Sequence, residues 1–91
     1  MPTVLVPGVL RTDAGGAAQL EVAADGSLRA VLDEMARRWP RLERRIRDEN
    51  GVLRRYVNVY VDGEDCRRSG GLETPVPAAA EIQVLPSVAG G

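Results

Sequence analysis

Between positions 57 and 61 apolar and polar residues alternate strictly. Val57, Val59 and Val61 are separated by Asn58 and Tyr60, the two-residue period of a strand with one buried face. The pattern predicts a strand over 53–61. Asp62-Gly63 is a hairpin-type reverse turn, and residues 64–68, with Cys66 among them, are expected to pair back as a short strand. A different period fills the first half of the chain. Leu28, Val31, Leu32, Met35, Ala36 and Trp39 fall at i, i+3, i+4, i+7, i+8 and i+11, which is the apolar stripe of an amphipathic helix. Ser27 stands where its side chain can cap that helix, Asp33 and Glu34 precede Arg37 and Arg38 as the helix dipole prefers, and Pro40 ends it. At helical spacing, Met35 and Trp39 read as core.

The remaining segments are shorter. Residues 3–10 read as a first strand with Val4, Leu5, Val6, Val9 and Leu10 apolar, and Pro7 marks an edge position or a bulge. A turn-rich loop over 11–16 leads into a second strand, where Ala18, Leu20 and Val22 alternate with Gln19 and Glu21, so the two form a hairpin. Residues 41–47 suit a further short helix with Leu42 and Ile46 inward. Residues 48–51 and 69–72 are turns, Pro75 and Pro77 make an extended connection, and Ile82, Gln83, Val84 and Leu85 form the last strand.

The order strand, strand, helix, strand, short strand, strand is met by two layers. The expected α+β architecture is a β-grasp: a four- to five-stranded mixed sheet wrapped on one main helix, with the last strand in the sheet interior beside the first. Pro86 cannot donate to a ladder and should stop that strand, dividing the chain into a domain over 1–85 and a flexible Gly-Gly tail over 86–91. Fully extended, the tail would reach ~20 Å, and Gly90 and Gly91 lack the Cβ that would keep a backbone out of a narrow channel. These features describe a substrate for another protein's cleft. Pro86, Ser87, Val88, Ala89 and Gly90 would be inserted, and Gly91 would present its carboxylate.

Composition narrows the chemistry. Ninety-one residues, 44% hydrophobic and 27% charged with a net charge of −1, make one domain with one core. There is one cysteine and no histidine, so an internal disulfide, a cysteine-based zinc or iron–sulfur site and the Ser-His or Cys-His pairs of nucleophilic catalysis are all excluded. No catalytic residue, metal ligand or bound cofactor is expected. The apolar run up to Leu10 is short, broken by Pro7-Gly8 and lacks a basic lead, so the expectation is a cytoplasmic protein with no membrane partner. Six arginines lie between 37 and 47, but Glu43, Asp48 and Glu49 sit among and beside them and the chain has one tryptophan and two tyrosines, which argues against nucleic acid. That stretch reads as a solvated face or a docking patch for a protein. All 12 basic residues are arginine, so the chain offers no lysine for linkage to copies of itself. A monomer is expected, since no surplus apolar face is visible.

The ending Leu85-Pro86-Ser87-Val88-Ala89-Gly90-Gly91 resembles that of the ubiquitin-like sulfur carriers, the ThiS/MoaD-like family. The block Tyr56-Val57-Asn58-Val59-Tyr60-Val61-Asp62-Gly63-Glu64-Asp65, followed by Ser69-Gly70-Gly71-Leu72, is similar to actinobacterial CysO-type carriers. The resemblance implies a protein co-substrate with no catalysis of its own. An ATP-dependent, ubiquitin-activating-type enzyme adenylates the terminal carboxylate, here Gly91, and sulfide or a persulfide displaces AMP to leave a thiocarboxylate. A sulfur-accepting synthase then draws the arm into its active site, and in CysO-type systems a metalloprotease releases cysteine. Other relatives serve thiamin, molybdopterin or other sulfur metabolites, thiosugars included. Leu72 matches an apolar position near the family's partner-facing side, where plain packing accounts for it equally well. Two other readings remain at this stage: a protein modifier conjugated through Gly91 to lysines of other proteins, and a non-covalent module docking through the face at 37–47.

Overall fold

The first pairing in the chain follows from its alternation. β1 (Thr3–Leu5) runs antiparallel to β2 (Gln19–Glu21) and sets Val4 opposite Leu20, so that both apolar side chains fall on one face. The structure, a computed structural model, describes residues 1–86. After β2 the chain passes through a two-residue strand, β3 (Gly26–Ser27), into α1 (Leu28–Arg38), α2 (Pro40–Ile46), β4 (Val57–Val61), β5 (Glu64–Asp65), a second two-residue strand, β6 (Pro75–Val76), and β7 (Glu81–Pro86). Five strands make one mixed sheet in the order β2-β1-β7-β4-β5, while β3 pairs with β6 apart from it. β7 lies in the sheet interior, parallel to β1 and antiparallel to β4, as expected for a β-grasp.

Strand alternation and helix period converge on one core. Val4, Val57, Val59, Ile82 and Val84 are buried on one sheet face, and Leu28, Val31, Leu32 and Met35 of α1 are buried with them. Burial of this kind contributes about 1.5–3 kcal/mol per large aliphatic side chain, which makes the helix-on-sheet contact the principal source of stability. The Ser27 hydroxyl accepts the Ala30 N–H at 3.1 Å, the predicted cap. Pro40 does end α1, and it also begins α2, because a first helical residue has no intrahelical partner for the N–H that proline lacks. Leu42 and Ile46 point inward from α2 as expected.

Four local expectations are corrected. The first strand stops at Leu5, and the chain from Gly8–Ala14 is a 3-10 helix that buries Leu10 and leaves Val9 79% exposed. Pro7 therefore marks neither a sheet edge nor a bulge: β1 is flanked by β2 and β7, and the proline precedes the 3-10 turn in an extended conformation. The strand expected over 53–61 starts at Val57, with Leu53 making only an isolated bridge to Arg47. Cys66 is not on a strand: pairing ends at Asp65, whose carboxylate accepts the Arg67 N–H at 2.9 Å and opens a 3-10 turn over Cys66–Arg68. Asp62 and Gly63 both take positive φ, 50° and 87°, the conformation their turn requires.

Candidate functional site

The last described residues of the chain are held where β7 pairs with β4. Pro86 lies opposite Val57 and Leu85 opposite Asn58, so β7 extends one residue beyond its expected end. β1 runs beside β7 only as far as Gln83, opposite Leu5. The N-terminal end of β4 is braced by Arg67, whose guanidinium donates to the carbonyls of Val57 at 2.8 Å and Arg54 at 2.9 Å and to Asn58 Oδ1 at 3.3 Å. Arg67 reaches these groups because the Asp62-Gly63 turn folds its segment back along β4 and the 3-10 turn redirects the side chain. A planar donor fork satisfying three acceptors fixes the strand end as a unit.

Two surfaces flank this root. On the sheet face turned away from α1, Leu5, Gln83, Tyr60 and Asp65 lie in one cross-strand row, with Leu85 further along β7 and 40% exposed. At the same end of the sheet Val6, Pro7 and Gln19 join Leu5 and Leu85 around a shallow depression, where Arg11 Nε donates to the Val6 carbonyl at 3.0 Å.

The second surface is basic. Asp13, Arg41, Arg44, Arg45, Arg54 and Tyr56 line a hollow beside the start of β4. Within it Arg45 pairs with Asp13 at 3.2 Å, and Arg54 Nε donates to the Arg44 carbonyl at 2.9 Å. The arginine run, read as a solvated face or a docking patch, is thus divided. Arg37 pairs with Glu34, and Arg38 stacks 4.4 Å over the Trp39 ring. Arg47 turns inward to a buried ion pair with Glu43 and a 2.9 Å bridge to Asp33. Burial works against the Arg47 charge, but the hydrogen bonds and charges of Glu43 and Asp33 outweigh it and hold the guanidinium more firmly protonated than usual. Sequence reasoning missed this pair; the signal was the i, i+4 spacing of Glu43 and Arg47 immediately after Leu42 and Ile46.

Leu72 lies on a 3-10 turn, Gly71–Glu73, half-buried against the core and off the strands of the sheet. Its turn faces α1, to which Glu73 is bridged by Arg29 at 2.7 Å. Pro86 is at the root; Ser87, Val88, Ala89, Gly90 and Gly91 lie outside the described residues. Cys66 is fully buried, and burial pushes its thiol pKa up against the opposing influence of the Arg67 charge. Among the described residues no cluster of His, Cys, Asp or Glu could hold a metal ion, and no helix is long and apolar enough to cross a membrane.

The comparisons with known proteins agree with this geometry. The ThiS family model matches residues 4–91. The sulfur carrier protein CysO of Mycobacterium tuberculosis is 40% identical over 92 residues, covering 98% of this chain and 97% of the relative. Among solved structures, a chain of the Amycolatopsis orientalis BexX/CysO complex superposes with a TM-score of 0.90 at 37% identity over 100% of both chains. Small archaeal modifier protein 1 from Methanosarcina acetivorans does so with a TM-score of 0.84 at 27% identity, over 99% of this chain and 95% of that one. The β-grasp topology, the interior strand leading to the C-terminal segment and a match running through Gly91 place this chain in the ThiS family of ubiquitin-like sulfur carriers.

Proposed function

We propose that this protein carries sulfur on the carboxylate of Gly91. The supporting observation is near-full-length similarity to a sulfur carrier, together with a family match that runs through residue 91. A carboxylate resists nucleophiles because its leaving group would be oxide. Attack of a Gly91 carboxylate oxygen on the α-phosphorus of ATP releases pyrophosphate and gives an acyl-adenylate. Sulfide or a persulfide sulfur then adds to the acyl carbon and AMP departs. With sulfide the product is the thiocarboxylate directly; with a persulfide, reductive cleavage of the S–S bond completes it. The ATP and the catalytic groups belong to an activating enzyme of the ubiquitin-activating type, and this chain is its co-substrate rather than a catalyst.

The thiocarboxylate sulfur would then be delivered to a synthase that admits Pro86, Ser87, Val88, Ala89 and Gly90 into its active site. The resemblance to CysO-type carriers favours cysteine as the product, with a metalloprotease releasing it. The Amycolatopsis relative was crystallised in a complex with BexX, which supports a carrier that works against a partner protein. Deletion of Gly91 in a cell without a substitute carrier should abolish sulfur transfer while leaving the folded protein at normal abundance. Transfer that survives the deletion would refute the proposal.

The likeness to the archaeal modifier protein supports a second use of the same activated carboxylate, amide formation with lysines of other proteins. The chain contains no lysine, so lysine-linked chains of itself are excluded. Immunoblots of cell extract distinguish the two uses: a ladder of Gly91-dependent adducts marks conjugation, and a single free band marks the carrier.

A further inference from the structure

We propose that the arginine-lined hollow beside Pro86 docks an acidic surface of the enzyme that adenylates Gly91; the inference rests on the carrier reading above. Its basis is position. Tyr56, on the rim of the hollow, immediately precedes Val57, and Val57 is the cross-strand partner of Pro86. With ~3.8 Å between consecutive Cα atoms and about 5 Å across an antiparallel pair, the Tyr56 and Pro86 Cα atoms lie within about 9 Å of each other. The five residues after Pro86 can span at most about 18 Å, so an enzyme that encloses Gly91 must bring its own surface close to this root.

Charge selects what that surface carries. Four guanidinium groups and one carboxylate line the hollow in a chain whose net charge is −1, so the positive charge is local. Arg45 is engaged by Asp13, and Arg54 is held against the Arg44 carbonyl. Arg41 and Arg44 are exposed on α2 and form no ion pair among the described residues. A neutral or basic partner would strip water from these two side chains without replacing it, whereas carboxylates match their planar donor forks in bidentate fashion. Tyr56, 46% exposed, and Val52, 56% exposed, add apolar contact area next to the charged groups. Arginine and tyrosine are, with tryptophan, the residue types enriched among the side chains that carry most binding energy at protein interfaces.

The test uses full-length protein, the activating enzyme encoded in the same genome and ATP–pyrophosphate exchange as the readout. Exchange with the wild-type chain, and its loss on deletion of Gly91, independently establishes that Gly91 is adenylated, the step on which the carrier reading depends. Given that, the Arg41→Glu/Arg44→Glu variant should raise the KM for the carrier about tenfold with kcat unchanged, because docking precedes chemistry. Arg41→Lys/Arg44→Lys should recover much of the affinity. Wild-type KM should rise with added KCl as the charges are screened. The control is Arg29→Glu, an exposed arginine paired with Glu73 on the α1 side of the molecule. Circular dichroism melting checks that each variant is folded. An unchanged KM in folded Arg41→Glu/Arg44→Glu protein, or an equal rise in the Arg29→Glu control, overturns the proposal. So does binding of a single-stranded RNA probe that these substitutions abolish while KM stays constant, which would assign the hollow to nucleic acid.

Discussion

The Arg67 guanidinium donates to the Val57 carbonyl at 2.8 Å, and Val57 is the residue opposite Pro86. One side chain from the turn after β5 thereby secures the strand end that pairs with Pro86. Arg67 also holds the Arg54 carbonyl, so it ties the 54–56 loop and the basic hollow to the same point.

Arg67→Ala should therefore lower stability by about 1–2 kcal/mol, the scale of charge-assisted hydrogen bonds near a surface. For a domain of this size that corresponds to a fall in Tm of roughly 4–16 °C. Thermal unfolding followed by circular dichroism measures it, and a variant that melts with the wild type would remove the bracing role.

Removing one partner of the inward ion pair should cost more. Glu43 and Arg47 have side chains only 10% and 7% exposed, whereas Asp33, the other partner of Arg47, is 63% exposed. Glu43→Ala leaves a guanidinium in a largely buried site with one exposed counter-charge and should destabilise by about 3 kcal/mol. Asp33→Ala deletes an exposed partner and should cost under about 1 kcal/mol. Urea unfolding of the two variants should keep that order; the reverse order would show that Arg47 is stabilised mainly from the solvent side.

The elements of the fold differ in how far they were legible in the sequence. α1 was readable because its stripe spans three turns and agrees with its cap, and β4 because three valines alternate without interruption. The 3-10 helix over Gly8–Ala14 was not: Val9 and Leu10 are strand formers by type, and the turn that overrides them is set by burial of Leu10 and by Gly15 at φ 67°. β3 and β6 are two residues each, too short for any period to show. At the root, the sequence ended the last strand at Leu85, one residue short of the Pro86–Val57 pairing, and the basic hollow assembles Asp13, α2 and the 54–56 loop from three separate places in the chain. Proximity of that kind exists only after folding.

The turn after α2 carries an acid-sensitive element. Asp48 Oδ1 accepts the Asn50 N–H at 2.8 Å and the Val52 N–H at 3.1 Å. The Val52 hydrogen bond most of all, then that of Asn50 and the charges of Arg54 and Arg44, hold its carboxyl below the ordinary value of 3.8. A carboxyl more acidic when folded than unfolded binds fewer protons in the folded state, so its contribution is complete above the unfolded value and is lost as pH falls through the native one. The stability advantage of wild type over Asp48→Asn should be constant near neutrality and shrink below about pH 4. An advantage that grows in acid would contradict this assignment.

Cys66 should be silent in the native protein. Its thiol is fully buried and its pKa is raised by that burial, so little thiolate is present and none is accessible. A thiol reagent applied to folded protein should label it at least about tenfold more slowly than after unfolding in guanidinium. Alkylation of folded, charged carrier should then report the sulfur at Gly91 alone. Equal labelling rates in the two states would show that the turn over Cys66–Arg68 opens readily.

The most direct test of the carrier function is intact-protein mass spectrometry after incubation with the activating enzyme, ATP and sulfide. The full chain should gain the mass difference between sulfur and oxygen, fragmentation should confine the change to Gly91, and a chain ending at Gly90 should stay unmodified. An unchanged full-length chain in the presence of an enzyme shown to be competent, or a sulfur increment that persists without Gly91, would contradict the account.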